Sequence, residues 1–416
     1  MARDDFRLGR RTSPTNPDTA IGNTLLSRSV PRTNKLLTVG HSYVVALNRR
    51  LAHEMAVVGQ GRWEVTVAAP DFVHGDLRPI RCEPSTGEAC RTLTFPLRFS
   101  QRPHVSSYSR RLRELVRADW DHVHIWQEPY TFSGFQLSRW IRRETPMTFW
   151  TAQNINKYYP PPFGWFERYC YRRCIGWLAC GATTAEVSVA RGFGGKPHEV
   201  IPLGVDLDVF RPNVELRKAT FRTLNWDEGG PPVVGYLGRF IPAKGIELLC
   251  GALDAIESPW RALFVGGGTL EKYLRTWARR YSDDRVRVVT NVPHDDVPVY
   301  LNSMNILAAP SQSTPRWREQ LGRMLIEAMA CGVPVVGSDS GEIPFVIGDS
   351  GRVLPERDLH GWSESLAALL ESPSQRELLA AQGLEHVRCE YAWPVIARRH
   401  LGFFERLRDA RHGNLV

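Results

Sequence analysis

Short runs of β-branched and apolar residues alternate with amphipathic stretches in two separate parts of the chain, and this alternation constrains the fold more than any other feature. Strands of the first part are predicted at 35–40, 63–70, 121–129 and 146–154, with helices at 44–56 and 109–120. Such alternation favours a parallel, doubly wound sheet whose ligands bind beyond the carboxyl ends of its strands. Those ends hold the pairs Gly40–His41, Gln127–Glu128 and Gln153–Asn154.

A second alternating series follows a connector rich in Pro, Gly and Asp at 200–213. Its five strands are predicted at 232–239, 261–268, 286–293, 304–311 and 332–339. We therefore expect two Rossmann-like α/β domains that face a central cleft. The predicted divisions are a mobile basic tail at 1–33, an N-terminal domain at 34–205, a C-terminal domain at 206–390, and a helix at 391–416 that packs back across the connector.

Composition bounds the class of protein. The 416 residues are 43% hydrophobic and 23% charged, as in a packed globular chain. Lys plus Arg number 53 and Asp plus Glu 44, and the formal charge of +9 modestly favours anionic partners. No apolar run is long enough to cross a membrane, and the first residues contain no apolar secretion segment, so we expect a cytoplasmic protein. The eight cysteines form no C-x-x-C pair, which indicates reduced thiols.

The segment 318–336 carries two glutamates, Glu319 and Glu327, separated by seven residues. On one helix they would lie about 12 Å apart along the axis, too far to share a proton or a metal ion. Gly322 instead favours Glu319 in a loop and Glu327 in the first turns of a helix, whose N-terminal amides would bind phosphate. A nucleotide sugar fits that span, although two ordinary surface glutamates on an amphipathic helix also fit this segment alone.

Two cations follow a predicted strand of the second series. Arg239 ends the strand, and Lys244 comes five residues later on a loop bounded by glycine. A planar guanidinium and an ammonium together suit a diphosphate whose negative charge grows as its bond to a sugar breaks. The alternative is a solvated loop.

These motifs together resemble the family 4 retaining glycosyltransferases (glycosyl transferases group 1) of the GT-B superfamily. The resemblance is carried by 235–245, the glycine-rich segment after 264, the segment 291–311, the segment 319–347 and the connector. The N-terminal half resembles the family more loosely, at 38–56, 126–130 and 151–154. The resemblance implies a metal-independent hexosyltransferase that uses no cofactor and takes a UDP- or GDP-linked sugar as co-substrate.

The resemblance also implies roles for individual residues. Arg239 and Lys244 would stabilise the departing diphosphate, Glu319 would contact the donor sugar, and Glu327 would hold the ribose. Further donor contacts are expected at Gly40, Gly238, Gly266, Val292, His294, Leu321 and Gly322. Because many relatives carry a Glu-Pro pair there, Glu128 is the preferred polar contact of the N-terminal domain, with His41, Gln153 and Asn154 as acceptor or phosphate contacts. Strand alternation places His124 in the core.

The acceptor implied by the family is a glycan, a lipid-linked sugar or a small molecule, in polysaccharide or glycoconjugate biosynthesis. An anionic membrane surface is a further expected partner, and the arginine cluster of 109–120 or the 1–33 segment would contact it. Nucleic acid is not expected. A sugar-nucleotide epimerase of the same architecture and a non-enzymatic basic binding protein remain alternatives. The Asp206-x-Asp208 sequence resembles a manganese motif of another fold, but it lies in the connector, so no metal site is predicted.

Overall fold

The computed structural model describes residues 32–74, 79–282 and 284–413. Apart from its last two residues, the predicted mobile tail at 1–33 lies outside these ranges.

The N-terminal half consists of eleven strands and five helices within the described ranges. Its elements are β1 (Asn34–Val39), α1 (Ala46–Val58), β2 (Trp63–Pro70), β3 (Phe72–His74), β4 (Pro79–Arg81), β5 (Arg91–Phe95), β6 (Leu97–Arg98), β7 (Ser107–Tyr108), α2 (Arg110–Val116), β8 (His122–Ile125), α3 (Phe132–Trp140), β9 (Met147–Thr151), α4 (Phe163–Arg173), β10 (Gly176–Ala179), α5 (Ala182–Ser188) and β11 (His198–Val200).

Seven of these strands form one parallel sheet in the order β11-β10-β9-β8-β1-β2-β5. The order of connection reverses between β1 and β8, which hydrogen-bond to each other in the middle of the sheet. Ligands of open parallel sheets bind at such a switch point, beyond the carboxyl ends of the strands. His41 follows β1 and Glu128 follows β8, so both lie at this point.

The C-terminal half repeats the pattern. Its elements are α6 (Val214–Thr223), β12 (Val233–Arg239), α7 (Ile246–Asp254), β13 (Arg261–Gly267), α8 (Glu271–Ala278), β14 (Val286–Val289), α9 (Val297–Leu301), β15 (Ile306–Ala309), α10 (Arg323–Ala330), β16 (Val335–Ser338), α11 (Ile343–Ile347), β17 (Arg352–Leu354), α12 (Leu359–Glu371), α13 (Pro373–Glu390) and α14 (Trp393–Gly413).

The second sheet is also parallel and has the order β14-β13-β12-β15-β16-β17. This is the strand order of a dinucleotide-binding domain, with its switch point between β12 and β15. The loop after β12 carries Lys244, and the loop after β15 carries Glu319. The predicted class of two doubly wound α/β domains is therefore confirmed.

Several strands are absent from the sequence prediction. β10, β11 and β17 contain three or four residues each, too few for a strand period to be recognised beside neighbouring loops. β5 was also missed. It forms the edge of the first sheet and pairs only with β2.

The last helix packs against the first domain rather than against the second, which precedes it in sequence. α14 contacts α1 extensively, and its apolar side chains Trp393, Ile396 and Phe404 join the core cluster beneath β1 and β2. Val205 in the connector pairs with Ala392 just before α14 begins. The chain thus crosses between the two domains at two adjacent points, 205 and 392.

Candidate active site

A buried ion pair occupies the switch point of the second sheet. Lys244 Nζ lies 2.5 Å from Glu319 Oε2, and the Ser311 hydroxyl donates to the same oxygen at 2.8 Å. Lys244 is 9% exposed and Glu319 7% exposed, so few water molecules compete for these bonds. The other carboxylate oxygen, Oε1, accepts no hydrogen bond from any described residue. Glu319 is therefore held on one side and free on the other to accept a ligand hydroxyl.

The predicted break between Glu319 and Glu327 exists. Gly322 caps the start of α10 with a φ of +70°, a left-handed conformation that glycine adopts without a steric penalty. The backbone N–H groups of residues 320–322 donate to no acceptor within the described part of the chain. The Leu321 side chain is buried in the core, so only its backbone faces the cleft. This helix start can bind an anion through its amides.

Glu327 lies one turn further along α10 and is 4% exposed. Its Oε1 contacts His294 Nε2 at 3.0 Å and Arg323 Nε at 2.8 Å. Val292, two residues before His294, packs half-buried against the same core. Oε2 of Glu327 has no hydrogen-bond partner among the described residues, so one carboxylate oxygen is again available to a ligand diol.

Arg239 ends β12 with an exposed side chain and makes no ion pair with any described residue. The strand ends beside it approach each other closely at two glycines. Gly266 has a φ of +153°, and a Cβ there would lie 1.8 Å from the carbonyl oxygen of Gly238. No other residue type fits at Gly266, because both the conformation and the space exclude a side chain.

The switch point of the first sheet has a different character. His41, Gln127 and Glu128 line two adjoining cavities of about 270 and 360 Å³, and the smaller one also reaches Arg323 on α10. His41 Nδ1 and Gln127 Oε1 are buried without a hydrogen-bond partner in the described chain. Unpartnered buried polar atoms are costly and are characteristic of binding sites.

Glu128 accepts hydrogen bonds from Thr151 Oγ1 at 2.7 Å and from the Ala152 amide at 2.8 Å. Burial raises its pKa to about 7, and these two hydrogen bonds oppose that effect. Burial likewise lowers the pKa of His41. At this site, burial thus favours the neutral forms of both the imidazole and the carboxyl group.

Of the remaining predicted residues, one contacts the second domain, and the others have contacts within the first domain. Asn154 reaches across the cleft and donates to the Glu319 backbone carbonyl at 2.9 Å, whereas Gln153 accepts from the Ile155 amide within its own loop. Gly40 has an extended backbone, and a Cβ there would lie 2.8 Å from the Trp126 carbonyl oxygen. Packing against β8 therefore explains this glycine without a ligand. His124 is fully buried.

Sequence reasoning missed three residues around the two sites: Ser311, Arg323 and Glu342. Ser311 and Glu342 are polar residues that follow the carboxyl end of a strand, as Glu128 does. A search for polar residues after every predicted strand would therefore have found them.

No group of three potential metal-ligating side chains exists among the described residues. Asp206 pairs with Arg50 at 3.2 Å and accepts the Asp208 amide at 3.0 Å, so the D-x-D sequence forms a turn in the connector. No helix in the described ranges is long and apolar enough to span a bilayer.

Comparison with known proteins gives the following relatives. A GDP-mannose-dependent monoacylated alpha-(1-6)-phosphatidylinositol monomannoside mannosyltransferase of Corynebacterium glutamicum is 32% identical over 215 residues, 50% of this chain and 56% of that protein. A D-inositol 3-phosphate glycosyltransferase of Segniliparus rotundus is 29% identical over 209 residues, 48% of this chain and 44% of that protein. The chain thus matches about half the length of these relatives.

Solved structures share the fold at low sequence identity. Sucrose-phosphate synthase from Thermosynechococcus elongatus superposes with a TM-score of 0.65 and 21% identity, over 91% of this chain and 100% of that one. HepE of Anabaena in complex with UDP gives a TM-score of 0.67 and 17% identity, over 89% of this chain and 100% of that one. WaaG, a glycosyltransferase involved in lipopolysaccharide biosynthesis, gives a TM-score of 0.59 and 14% identity, over 86% and 97%. These likenesses confirm the predicted GT-B fold.

The sequence model described as glycosyl transferases group 1 matches residues 218–386. That segment contains Arg239, Lys244, Glu319 and Glu327, so the match and the site geometry concern the same part of the chain. Residues 218–386 of this chain are therefore similar to the group 1 glycosyltransferases.

Proposed function

We propose that this protein is a retaining, metal-independent hexosyltransferase that moves a sugar from a nucleotide-diphosphate sugar to a hydroxylated acceptor. The observation that carries the proposal is the arrangement around the start of α10. Glu319 and Glu327 stand on either side of the free amides of 320–322, and each offers one unpartnered carboxylate oxygen. A donor with its sugar at Glu319, its diphosphate at the amides and its ribose at Glu327 satisfies all three groups.

The transfer breaks the bond between the anomeric carbon and a phosphate oxygen, and a bond to the acceptor oxygen forms on the same face. The acceptor proton passes to the departing phosphate oxygen, so no protein base is required. Arg239, exposed and without an ion-pair partner in the described chain, stabilises the charge that develops on the diphosphate. Lys244, already bound to Glu319, links the sugar contact to the same diphosphate.

For the donor, the mannosyltransferase relatives favour GDP-mannose, because their names state that dependence. UDP- and ADP-linked sugars are the donors against which GDP-mannose is to be tested. The acceptor hydroxyl would enter the cavities beside His41 and Glu128, which adjoin the cleft from the first domain. A lipid-linked or growing glycan and a small polyol all present such a hydroxyl.

The decisive experiment measures stabilisation of the purified protein by GDP, UDP, ADP and their hexose conjugates. At a ligand concentration 100 times Kd, binding adds about 2.7 kcal/mol to the free energy of unfolding. We expect one nucleotide to act, with affinity weakened in Glu327→Gln and Arg239→Ala. Arg279→Ala is the matched control, because Arg279 is an equally exposed arginine that lies at the end of α8.

A protein that no nucleotide stabilises would refute the proposal. Equal effects of Arg239→Ala and Arg279→Ala would remove Arg239 from the diphosphate site. Once the donor is known, the anomeric configuration of the transferred sugar, read by NMR, tests retention separately.

An anionic membrane surface is part of the proposal. The exposed arginines of α2 and its end, Arg110, Arg111, Arg113 and Arg117, share a helical layer with α4. On α4, Trp165 is 62% exposed and lines a concavity of about 560 Å³ with Arg168 and Arg172. Aromatic and cationic side chains together suit a lipid interface. Sedimentation with anionic vesicles but not with zwitterionic ones is expected, and equal sedimentation with both would contradict it.

A further inference from the structure

Glu342 has no role in the mechanism above, yet it is 3% exposed and lies between the two domains. It stands in the turn between β16 and α11, and its carboxylate crosses to the first turn of α5 in the N-terminal half. Oε1 accepts the Ala182 amide at 2.5 Å, and Oε2 accepts the Thr183 amide at 3.0 Å and the Thr183 hydroxyl at 2.7 Å. Three donors of one domain thus bind a single carboxylate of the other.

The backbone of the same turn holds the loop that carries Glu319. The Glu342 amide donates to the Glu319 carbonyl oxygen at 3.1 Å, and the Asn154 side chain donates to that same oxygen at 2.9 Å. Gly341, the residue before Glu342, lies so close to this carbonyl oxygen that a Cβ on it would be only 2.1 Å away. One carbonyl oxygen of the Glu319 loop therefore receives a hydrogen bond from each domain.

The neighbouring residue adds further contacts across the cleft. Gln320 Nε2 donates to the Ala152 carbonyl at 3.0 Å, and Cys180 Sγ lies 3.7 Å from the Gln320 carbonyl oxygen. The segments 152–154 and 180–183 of the first domain thus enclose the Glu319 loop from one side, and Glu342 closes it from the other.

Glu342 makes no ion pair within the described chain, so its burial is balanced by hydrogen bonds alone. A carboxylate has two acceptor oxygens, whereas glutamine has one, and only the carboxylate satisfies all three donors. Burying an unpaired charge costs free energy that an apolar or amide side chain would avoid. The Glu342 carboxylate therefore does more at the contact between the two domains than fill space.

We infer that Glu342 is a positioning residue that locks the Glu319 loop to the first domain, and so fixes the free Glu319 oxygen for the donor sugar. This inference rests on the proposed function for the contact between Glu319 and the sugar. The proposed ribose contact, Glu327, lies further along α10 and makes no hydrogen bond or ion pair with Glu342. Loss of the Glu342 contacts to the first domain therefore weakens recognition of the sugar more than recognition of the nucleotide.

The test compares Glu342→Gln and Glu342→Ala with Glu54→Gln. Glu54 is the control, because it is also a buried carboxylate, at 5% exposure, but it pairs with Arg50 on α1 and does not contact the Glu319 loop. The first readout is hydrogen exchange of the Glu342 amide, which donates to the Glu319 carbonyl oxygen, and of 152–155. We expect exchange about tenfold faster in both Glu342 variants and unchanged exchange in the control.

The second readout is the affinity, by calorimetry, of the nucleoside diphosphate and of its hexose conjugate. In Glu342→Gln we expect the nucleotide affinity to stay within about twofold and the conjugate affinity to fall about tenfold, the loss of one well-placed charged hydrogen bond. A merely structural role would lower both affinities alike.

Unchanged exchange in both Glu342 variants would overturn the lock. Faster exchange with equal losses for nucleotide and conjugate would overturn the positioning role. If the wild-type protein bound no nucleotide, the proposed function would fail, and the exchange data alone would still decide whether Glu342 holds the loop.

Discussion

The two switch points of this molecule occupy equivalent places in two similar sheets but have opposite electrostatic character. In the second sheet, the Lys244–Glu319 ion pair and the Arg323–Glu327 pair place charged groups against one another. In the first sheet, His41 and Glu128 have pKa values that burial shifts toward the neutral form. The paired charged side chains are held in fixed positions. The neutral polar atoms without partners, in contrast, can form hydrogen bonds with a ligand.

This difference agrees with the separate donor and acceptor sites of the proposed transfer reaction. A donor diphosphate carries charge and benefits from preorganised charged partners. An acceptor hydroxyl is neutral and benefits from polar groups that cost little to desolvate. The two sites therefore respond differently to substitution and to pH, and three predictions test that contrast, all measured by urea unfolding.

The largest effect is expected at the charged switch point. Lys244→Met leaves the Glu319 carboxylate buried with only the Ser311 hydroxyl as its side-chain partner. Breaking a buried pair from one side lowers the free energy of unfolding by about 3–5 kcal/mol. The double variant Lys244→Met/Glu319→Gln should lose less than the sum of the two single variants, because no charge is then left unpaired.

Arg275→Met is the control for this prediction, since Arg275 pairs with Glu271 on the exposed face of α8. A surface pair of this kind contributes at most about 1 kcal/mol. If the Lys244 variant lost no more stability than the Arg275 variant, the view of the second switch point as a fixed charged site would be wrong.

The next prediction concerns the loss of folding stability at low pH. We expect this loss to arise from buried histidines in the first domain and in α14. His122, His124 and His400 lie between the first sheet and α14, and no other described histidine is as fully buried. Burial lowers the pKa of His122 to about 3 and that of His400 to about 4. The unfolded chain binds protons below its ordinary histidine pKa of about 6.5 while the folded protein does not, so stability falls as the pH decreases from there.

Between pH 6.5 and 5, His122 and His400 should each remove about 1.5 kcal/mol from the free energy of unfolding. His400→Leu should reduce the loss over this interval by about that amount, whereas His360→Leu, on an exposed position of α12, should leave it unchanged. An identical pH dependence in wild type and His400→Leu would contradict the assignment.

The smallest effect has the opposite sign and concerns Glu128. Its folded pKa of about 7 exceeds its ordinary value of 4.5, so folding favours the protonated form and stability decreases as the pH rises through 7. Glutamine resembles the protonated form. Because Glu128 is partly exposed, we expect Glu128→Gln to be only about 1–2 kcal/mol more stable than wild type at pH 8, and about equally stable at pH 4, below the unfolded-state pKa.

Glu364→Gln, on the exposed face of α12, should change stability at neither pH. A Glu128→Gln protein that unfolds more easily than wild type at pH 8 would show that the Glu128 carboxylate is a structural group rather than a strained one in a binding site.

Local patterns in the sequence predicted much of both sheets. The strands around Gly40, Arg239 and Glu128 were placed to within a few residues, because strand and helix periods repeat over short distances. The separation of Glu319 from Glu327 by a helix start followed from one glycine. The pairing of Lys244 with Glu319 did not follow, since ion pairs between separate loops depend on how the strands that carry them are ordered.

What the sequence alone determined is the fold class and the residues at the strand ends, because each depends on neighbours within a few positions of the chain. Tertiary structure alone decided how the domains meet. Glu342 lies 160 positions from Ala182, and Asn154 lies 165 positions from Glu319. Contacts at such separation leave no local pattern, because they arise only after both sheets have formed and α14 has returned to the first domain.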